Sequence, residues 1–281
     1  MPNDFLTFPA RGFGKPVSRL GLASRGGSEI TPDDVFYAVD RGVNFLNWPG
    51  EADGPCCDDG LSQAIAALGQ RRESVVVCVQ FGSRTAGEAA SELRSILATL
   101  RTKYIDCLTL YYVEHADEWR QLIGPGGALD CLKKAKRDGL VRRIGLTSHQ
   151  RTLAADMAKS DAIDVLMIRY NAAHRGAERE IFPVTDALEK PVIAYTALRW
   201  GALLRPTSGD PPDFELPGAI DWYRFVLQLP SVAVVLAAPN DRTELEHDLD
   251  LLAVRGPLPD AEYARLAAHG DRVRQSAGSF P

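Results

Sequence analysis

Short, nearly continuous apolar runs alternate with longer amphipathic segments, and this alternation constrains the fold more than any other feature of the chain. Eight runs are rich in Val, Ile and Leu, as strands buried on both faces of a parallel sheet are. They cover residues 18–23, 43–47, 75–80, 105–112, 141–148, 163–170, 191–197 and 232–238. Parallel strands need a crossover between them, and that crossover is usually a helix. The pattern therefore predicts eight strand–helix units.

Helical patterns fill the intervals between these runs. They cover residues 31–42, 58–69, 85–104, 128–139, 151–160, 178–190, 218–229 and 241–253, with a further stretch over 260–275. The first opens with Thr31 and Pro32, a helix-start signal, and Pro183 should break or delay the sixth.

Eight strand–helix units predict an α/β fold, a (β/α)8 TIM barrel that spans residues 1–281 as one domain. The rival is a doubly wound sheet, which would usually carry a Gly-rich phosphate turn after an early strand. The sequence contains no G-x-G-x-x-G or Walker A pattern. Residues 3–17 are expected to form a short hairpin outside the barrel.

Composition excludes several classes of partner. A net charge of −5 argues against a nucleic-acid or anionic-membrane partner, and no run of 18 apolar residues predicts a membrane span. The N-terminal residues do not resemble a signal peptide, and five cysteines, an odd number, fit reduced thiols in a cytoplasmic protein. Cys56 and Cys57 are adjacent without further ligands at zinc spacing, so no metal site is expected. The oligomeric state stays open.

In barrel enzymes the functional side chains follow the carboxyl ends of the strands. In this chain those positions are polar or aromatic, which suits a pocket for a small-molecule ligand or substrate. They are residues 23–25, 47–53, 80, 111–115, 148–149, 169–171, 195–199 and 237–240.

A family resemblance covers nearly the whole chain, over residues 13–255. It is carried by the order of VSRLGLA, GVNFLN, RRESVVVCVQFG, YIDCLTLYY, DGLVRRIGLTSH, VIAYTALRWGALL and RFVLQLPSVAVVLAAPNDRTELEHDL. This order resembles the aldo/keto reductase superfamily. The resemblance implies a barrel that binds NADP(H) without a Rossmann domain, and an oxidoreductase that reduces small carbonyl compounds with an Asp, a Tyr, a Lys and a His.

The same resemblance implies that all four catalytic positions are substituted. The family Asp falls on Asn47, the Lys on Gln80 and the His on Tyr111, while the Tyr falls on Ala52 or, with a one-residue slip, on Asp53. Neutral amides supply hydrogen bonds but no charge. Ordinary carbonyl reduction is therefore doubtful, and Tyr111 is the predicted acid if the reaction persists.

The cofactor positions are also altered, which predicts a weakened NADP(H) site. Ser148 and Tyr195 match family residues at the nicotinamide, but the neighbouring Asn is replaced by His149 and a Gln by Met167. Residues 238–248 align with the segment that holds the adenosine phosphate. There Ala238 replaces a Gly, Asn240 a basic residue and Asp248 an Asn, and Arg242 is the nearby cation.

The substrate pocket is predicted from Trp48, Tyr112, Arg169 and Asn171, which offer aromatic walls, a cation and an amide. Two alternatives to an oxidoreductase stay open. One is a non-redox isomerase, lyase or dehydratase that pairs a tyrosine with Glu51, Asp53, Glu114 or His115. The other is a protein that binds a ligand or cofactor without catalysis.

Overall fold

Eight parallel strands close into a barrel in the computed structural model, which describes residues 4–50 and 59–276. Each barrel strand pairs with its neighbour along the chain, and the last of the eight closes onto the first. The strands are β3 (Leu20–Ala23), β4 (Phe45–Trp48), β5 (Val76–Phe81), β6 (Ile105–Leu110), β7 (Val141–Thr147), β8 (Val165–Arg169), β9 (Val192–Tyr195) and β10 (Val232–Ala237). Every one lies within or overlaps a predicted apolar run, so the predicted (β/α)8 barrel is confirmed.

Helices surround the barrel at the predicted intervals. They are α1 (Pro32–Asp40), α2 (Gly60–Ala66), α3 (Ala86–Thr99), α4 (Ala116–Ile123), α5 (Ala128–Arg137), α6 (Arg151–Ala158), α7 (Ala177–Glu180), α8 (Phe182–Ala187), α9 (Ala219–Leu227), α10 (Arg242–Leu249) and α11 (Asp260–Ser276). Pro183 lies in the first turn of α8 and separates it from α7, as predicted. Helix α4 is not among the predicted segments; it has eight residues, of which Leu122 is buried. None of the helices in these ranges is long and apolar enough to cross a membrane.

Side-chain caps explain where α1 begins. The Thr31 hydroxyl accepts a hydrogen bond from the Asp34 backbone N–H at 3.3 Å, and the Asp34 carboxylate accepts one from the Thr31 backbone N–H at 2.9 Å. This reciprocal pair satisfies two donors that a helix start would otherwise leave open.

The predicted N-terminal hairpin covers one end of the barrel. Strands β1 (Thr7–Phe8) and β2 (Val17–Ser18) pair antiparallel, and Phe13 between them packs edge-on against Phe45 of β4 at a ring-centroid distance of 5.2 Å. Phe8, Phe13 and Val17 belong to the same buried cluster as the inward side chains of the barrel. The hairpin therefore closes the amino-terminal end, and the carboxyl ends of the strands form the open mouth.

Period-2 alternation along β4 decides which residues reach that mouth. Phe45 belongs to the interior cluster, whereas Leu46 and Trp48 pack in the core between the strands and the helices. Asn47, near the carboxyl end of β4, therefore faces inward, toward the mouth.

Candidate active site

A cavity of about 920 Å³ opens at the carboxyl ends of the strands. One part is the barrel mouth, and the other is a groove that continues outward between the loops after β9 and β10 and helices α9 and α10. The mouth is lined by Asn47, Pro49, Gln80, Tyr112, Thr147, Met167 and Tyr195. Residues that line the groove include Trp200, Leu204, Ile220, Tyr223, Asn240, Glu244 and Asp248.

Neutral polar groups lie at the base of the mouth. Asn47 is only 3% exposed, Thr147 is fully buried and Gln80 is half-buried. Within residues 4–50 and 59–276, Asn47 Oδ1, Gln80 Oε1 and Thr147 Oγ1 have no hydrogen-bond partner. Most buried polar groups in proteins are paired, so these three are suited to hydrogen bonds with a ligand.

Tyr112 forms an aromatic shelf at the rim of the mouth. Its ring stacks on His149 at a centroid distance of 4.3 Å, and its backbone is in the left-handed region at φ 38°. A bulky residue held in that region is strained, and strain of this kind is concentrated at functional sites. Burial, and next the neighbouring Tyr112, raise the pKa of Tyr195 well above its usual range, so Tyr195 stays protonated.

Glu114 holds His149, the ring on which Tyr112 stacks. Its carboxylate accepts a hydrogen bond from the His149 backbone N–H at 2.8 Å and lies 3.4 Å from His149 Nδ1. Burial, and next the charge of Arg169, lower the pKa of the His149 imidazole, and Glu114 opposes this shift. The imidazole is therefore mainly neutral at pH 7 and can serve as an acceptor beside the mouth.

Tyr111, the predicted acid, is not among the residues that line the cavity. Alternation along β6 would aim it inward, after Cys107 and Thr109. However, the chain leaves the strand at Leu110, and the left-handed backbone of Tyr112 brings Tyr112 to the cavity instead. Tyr112 rather than Tyr111 therefore lines the cavity because of one backbone dihedral angle, the positive φ of Tyr112, which residue patterns do not reveal.

Two predicted substrate-pocket residues have structural roles instead. Trp48 is 1% exposed and packs in the core outside the barrel, because alternation after Asn47 points it away from the mouth. Asn171 is buried; its amide donates to the Thr196 carbonyl at 2.8 Å and accepts from the Ala173 N–H at 3.0 Å. Arg169 is half-buried near the exposed Trp200, with its guanidinium 6.0 Å from the ring, and does not line the cavity.

The predicted cofactor residues divide in the same way. Tyr195 and Asn240 line the cavity, whereas Ser148, His149 and Arg242 do not. Ser148 is buried and its hydroxyl accepts from the Gln150 N–H at 3.1 Å. Glu51, Asp53 and the alternative tetrad position Ala52 lie outside the described residues, as do Cys56 and Cys57.

Sequence reasoning missed several lining residues, chiefly Thr147 and Trp200. Inward alternation along β7 could have indicated Thr147, one residue before the predicted Ser148. Trp200 is 60% exposed at the cavity with φ 50°, and it follows Arg199, which also has φ 50°. Residues 4–50 and 59–276 contain no cluster of three or more His, Cys, Asp or Glu that could hold a metal ion.

Known proteins share this architecture. A family profile described as "Aldo/keto reductase family" matches residues 29–216. An aldo-keto reductase from Bacillus halodurans in its holo form superposes with a TM-score of 0.75 at 19% identity, covering 92% of this chain and 95% of that one. For an aldo-keto reductase from Klebsiella pneumoniae in complex with NADPH, the TM-score is 0.72 at 17% identity, with 93% and 94% covered.

A third similar structure, of a putative 2,5-diketo-D-gluconic acid reductase B, has a TM-score of 0.74 at 18% identity and covers 99% of this chain and 95% of that one. Identities this low show the fold alone, but the family profile covers well over half of the 281 residues. The chain therefore belongs to the aldo/keto reductase family.

Proposed function

We propose that this chain binds a nicotinamide dinucleotide in the cavity and acts as an atypical oxidoreductase on a small carbonyl compound at the barrel mouth. The observation that carries the proposal is the shape of the cavity, a buried mouth continued by a long groove to α10. Its volume of about 920 Å³ is near the upper end for small-molecule sites. A small carbonyl compound would occupy only part of it. The relative from Klebsiella pneumoniae was solved with NADPH, which supports an extended nucleotide here.

The residues of the mouth fit the nicotinamide end of such a cofactor. Asn47 and Thr147 offer buried, unpaired polar atoms to a carboxamide or to the carbonyl of a substrate, and Tyr195 offers an aromatic face. When bound, the dinucleotide would supply the hydride for carbonyl reduction. The protein must then orient the carbonyl and provide a proton.

That proton transfer is the step in which this chain departs from its family. By the resemblance, Asn47 and Gln80 take the places of an Asp and a Lys, and a neutral amide cannot lower the pKa of a neighbouring tyrosine as an ammonium group can. Asn47 and Gln80 therefore orient the ligand by hydrogen bonds. We assign the role of proton donor to Tyr112, whose hydroxyl-bearing side chain lines the cavity and whose backbone is strained.

General acid catalysis by a well-tuned group contributes about 10²- to 10⁴-fold to a rate. Without a cation beside the tyrosine, much of this contribution is lost. Reduction of common aldehydes and ketones should therefore be slow compared with reductases that keep the four family residues. The substitutions do not remove the cavity, so cofactor binding persists while turnover falls.

The test is a titration of purified protein with NADH and NADPH, followed by nucleotide fluorescence and calorimetry. Saturable binding with a Kd below about 1 mM is expected; failure of both nucleotides to bind at millimolar concentration would refute the proposal. A screen of small carbonyl compounds should then compare Tyr112→Phe with its neighbour Tyr111→Phe. We expect Tyr112→Phe to lower kcat at least about tenfold and Tyr111→Phe to have little effect, and the reverse order would assign the acid to Tyr111.

A second candidate function, a non-redox acid–base reaction, is favoured by one specific observation. The His149 imidazole lies between Glu114 and the Tyr112 ring, within 3.4 Å of the carboxylate. A carboxylate, an imidazole and a phenol together could move a proton without a nicotinamide. Turnover of a ligand in the absence of nucleotide, abolished by His149→Gln, would identify this function. Nucleotide binding without turnover of any compound would instead indicate a binding role.

A further inference from the structure

Carboxylates line the outer end of the cavity, along α10. Glu244 lies in the first turn of this helix, Asp248 lies one turn further on, and Asp250 follows the helix; all three line the cavity. Asp248 is only 6% exposed, so its carboxyl group is held in place rather than free to turn away. By the family resemblance, this segment would face the adenosine end of a bound dinucleotide.

The amino terminus of α10 is already occupied by acidic side chains of the chain itself. Asp241 Oδ1 accepts a hydrogen bond from the Glu244 N–H at 2.9 Å. Glu244 accepts from the Asn240 N–H at 2.7 Å and from the Asn240 side-chain amide at 2.8 Å. A helix amino terminus binds phosphate through its open N–H groups. Here Asp241 takes one of those donors and the Glu244 carboxylate lies beside them, bonded to the preceding Asn240, so a phosphate would meet negative charge.

The arginine of α10 is also engaged elsewhere. Arg242 contacts Asp34 at 3.0 Å and Glu246 at 2.8 Å, and its guanidinium lies 3.6 Å from the centre of the Tyr37 ring. It does not line the cavity. Moving Arg242 to a phosphate would break two ion pairs and a cation–π contact.

Two other arginines line the cavity on other loops, one after β3 and one after β9. They are Arg25 and Arg205, both exposed, and neither side chain has an ion pair or hydrogen bond to any residue in 4–50 or 59–276. Arginine pairs well with phosphate oxygens. The cavity therefore offers cations for a diphosphate bridge on the loops after β3 and β9, and three carboxyl groups with one histidine, His247, along α10.

From the carboxyl groups along α10 we infer that the cavity selects a dinucleotide whose adenosine ribose carries free hydroxyl groups, NAD(H), over one with a 2′-phosphate, NADP(H). Carboxylates accept hydrogen bonds from ribose hydroxyls, which is how many NAD sites recognise their ligand. The exposed carboxylates of Glu244 and Asp250 repel a phosphate, which carries up to two negative charges. The inference rests on the proposed function, because it requires that a dinucleotide occupies the cavity.

The test compares the Kd of NADH and NADPH for the full chain, measured by calorimetry and nucleotide fluorescence at one ionic strength. NADH should bind at least about tenfold more tightly, and Glu244→Gln, alone and with Asp248→Asn, should reduce this ratio to less than about threefold. The matched control is Glu246→Gln, which removes the same charge from the exposed side of α10. It should keep the ratio of the unmodified chain. Thermal unfolding of each variant verifies that it is folded.

The outcomes separate the two proposals. Equal or tighter binding of NADPH would overturn the inference and leave the proposed function standing. A ratio that Glu246→Gln lowers as much as Glu244→Gln would overturn the assignment to the cavity carboxylates. Binding of neither nucleotide would overturn the proposed function and this inference with it. Raising the salt concentration should lower the NADH preference, because exposed charges such as Glu244 are screened.

Discussion

Asp248 is a buried carboxyl group whose replacement by asparagine should stabilise the protein at alkaline pH. Its Oδ1 accepts a hydrogen bond from the buried Tyr223 hydroxyl at 3.0 Å. Burial raises the pKa of Asp248 to about 7 from the ordinary value of 3.8, with Tyr223 opposing the shift and Glu244 adding to it. The ionised form is therefore disfavoured in the folded state. Asparagine has the same shape, keeps an oxygen for Tyr223 and carries no charge.

The magnitude and sign follow from linkage. Between pH 3.8 and pH 7 the folded chain holds a proton on Asp248 that the unfolded chain releases, so stability decreases as the pH rises through this window. A shift of about three units corresponds to roughly 4 kcal/mol once both states are ionised. At pH 8, Asp248→Asn should therefore raise the free energy of unfolding by about 2–4 kcal/mol, allowing for relaxation around the site. Near pH 4 the difference should approach zero.

Urea unfolding at pH 4.5, 6 and 8 measures this free energy directly. The matched control is Asp161→Asn, an exposed carboxylate in the turn after α6, which should change little with pH. A variant that is less stable than the unmodified chain at pH 8, or a difference that is the same at pH 4.5 and pH 8, would refute the reasoning. Either result would mean that Asp248 is ionised and well stabilised in the fold.

The remaining predictions concern the barrel itself. Asp106 is buried with Arg72 at 2.7 Å and two further cations, so Asp106→Ala should cost about 3–5 kcal/mol in urea unfolding, because it leaves buried positive charge unpaired. Asp106→Asn removes the same charge and should cost nearly as much, and a loss much smaller than that of Asp106→Ala would contradict the charge argument. Gly145→Ala would place a methyl group 2.8 Å from Thr109 Cγ2 and 2.9 Å from the Val165 carbonyl oxygen. It should cost about 1–3 kcal/mol, and an unchanged Tm would contradict this packing.

The barrel could be predicted from the sequence because its signal is local. Each strand appears as a short run of Val, Ile and Leu. Helices are indicated by the helical spacing of apolar residues and by capping residues such as Thr31. Pro183 separates α7 from α8 because its ring fixes φ and leaves no backbone N–H to donate. Helix α4 carries the same local signal, with Trp119, Leu122 and Ile123 at helical spacing, but its eight residues make it shorter than any predicted segment.

The list of polar strand ends predicted part of the site for the same reason. Asn47, Gln80, Tyr112, Tyr195 and Asn240 line the cavity, because a closed parallel barrel brings the carboxyl ends of its strands together. Residues one position away, such as Trp48, fall on the opposite face of the sheet. The sequence alone therefore determined the fold and the end of the barrel at which the cavity opens.

Only the tertiary structure decided which side chains face the cavity and which charges are available there. Because the backbone of Tyr112 is in the left-handed region, Tyr112 lines the cavity and Tyr111 does not. No residue pattern encodes that dihedral angle. The sequence indicated Arg242 as a cation near the cofactor phosphate, but in the fold Arg242 pairs with Asp34, which lies more than 200 residues earlier in the chain. Contacts of this kind depend on how distant segments pack, and packing is a property of the whole chain rather than of any short stretch within it.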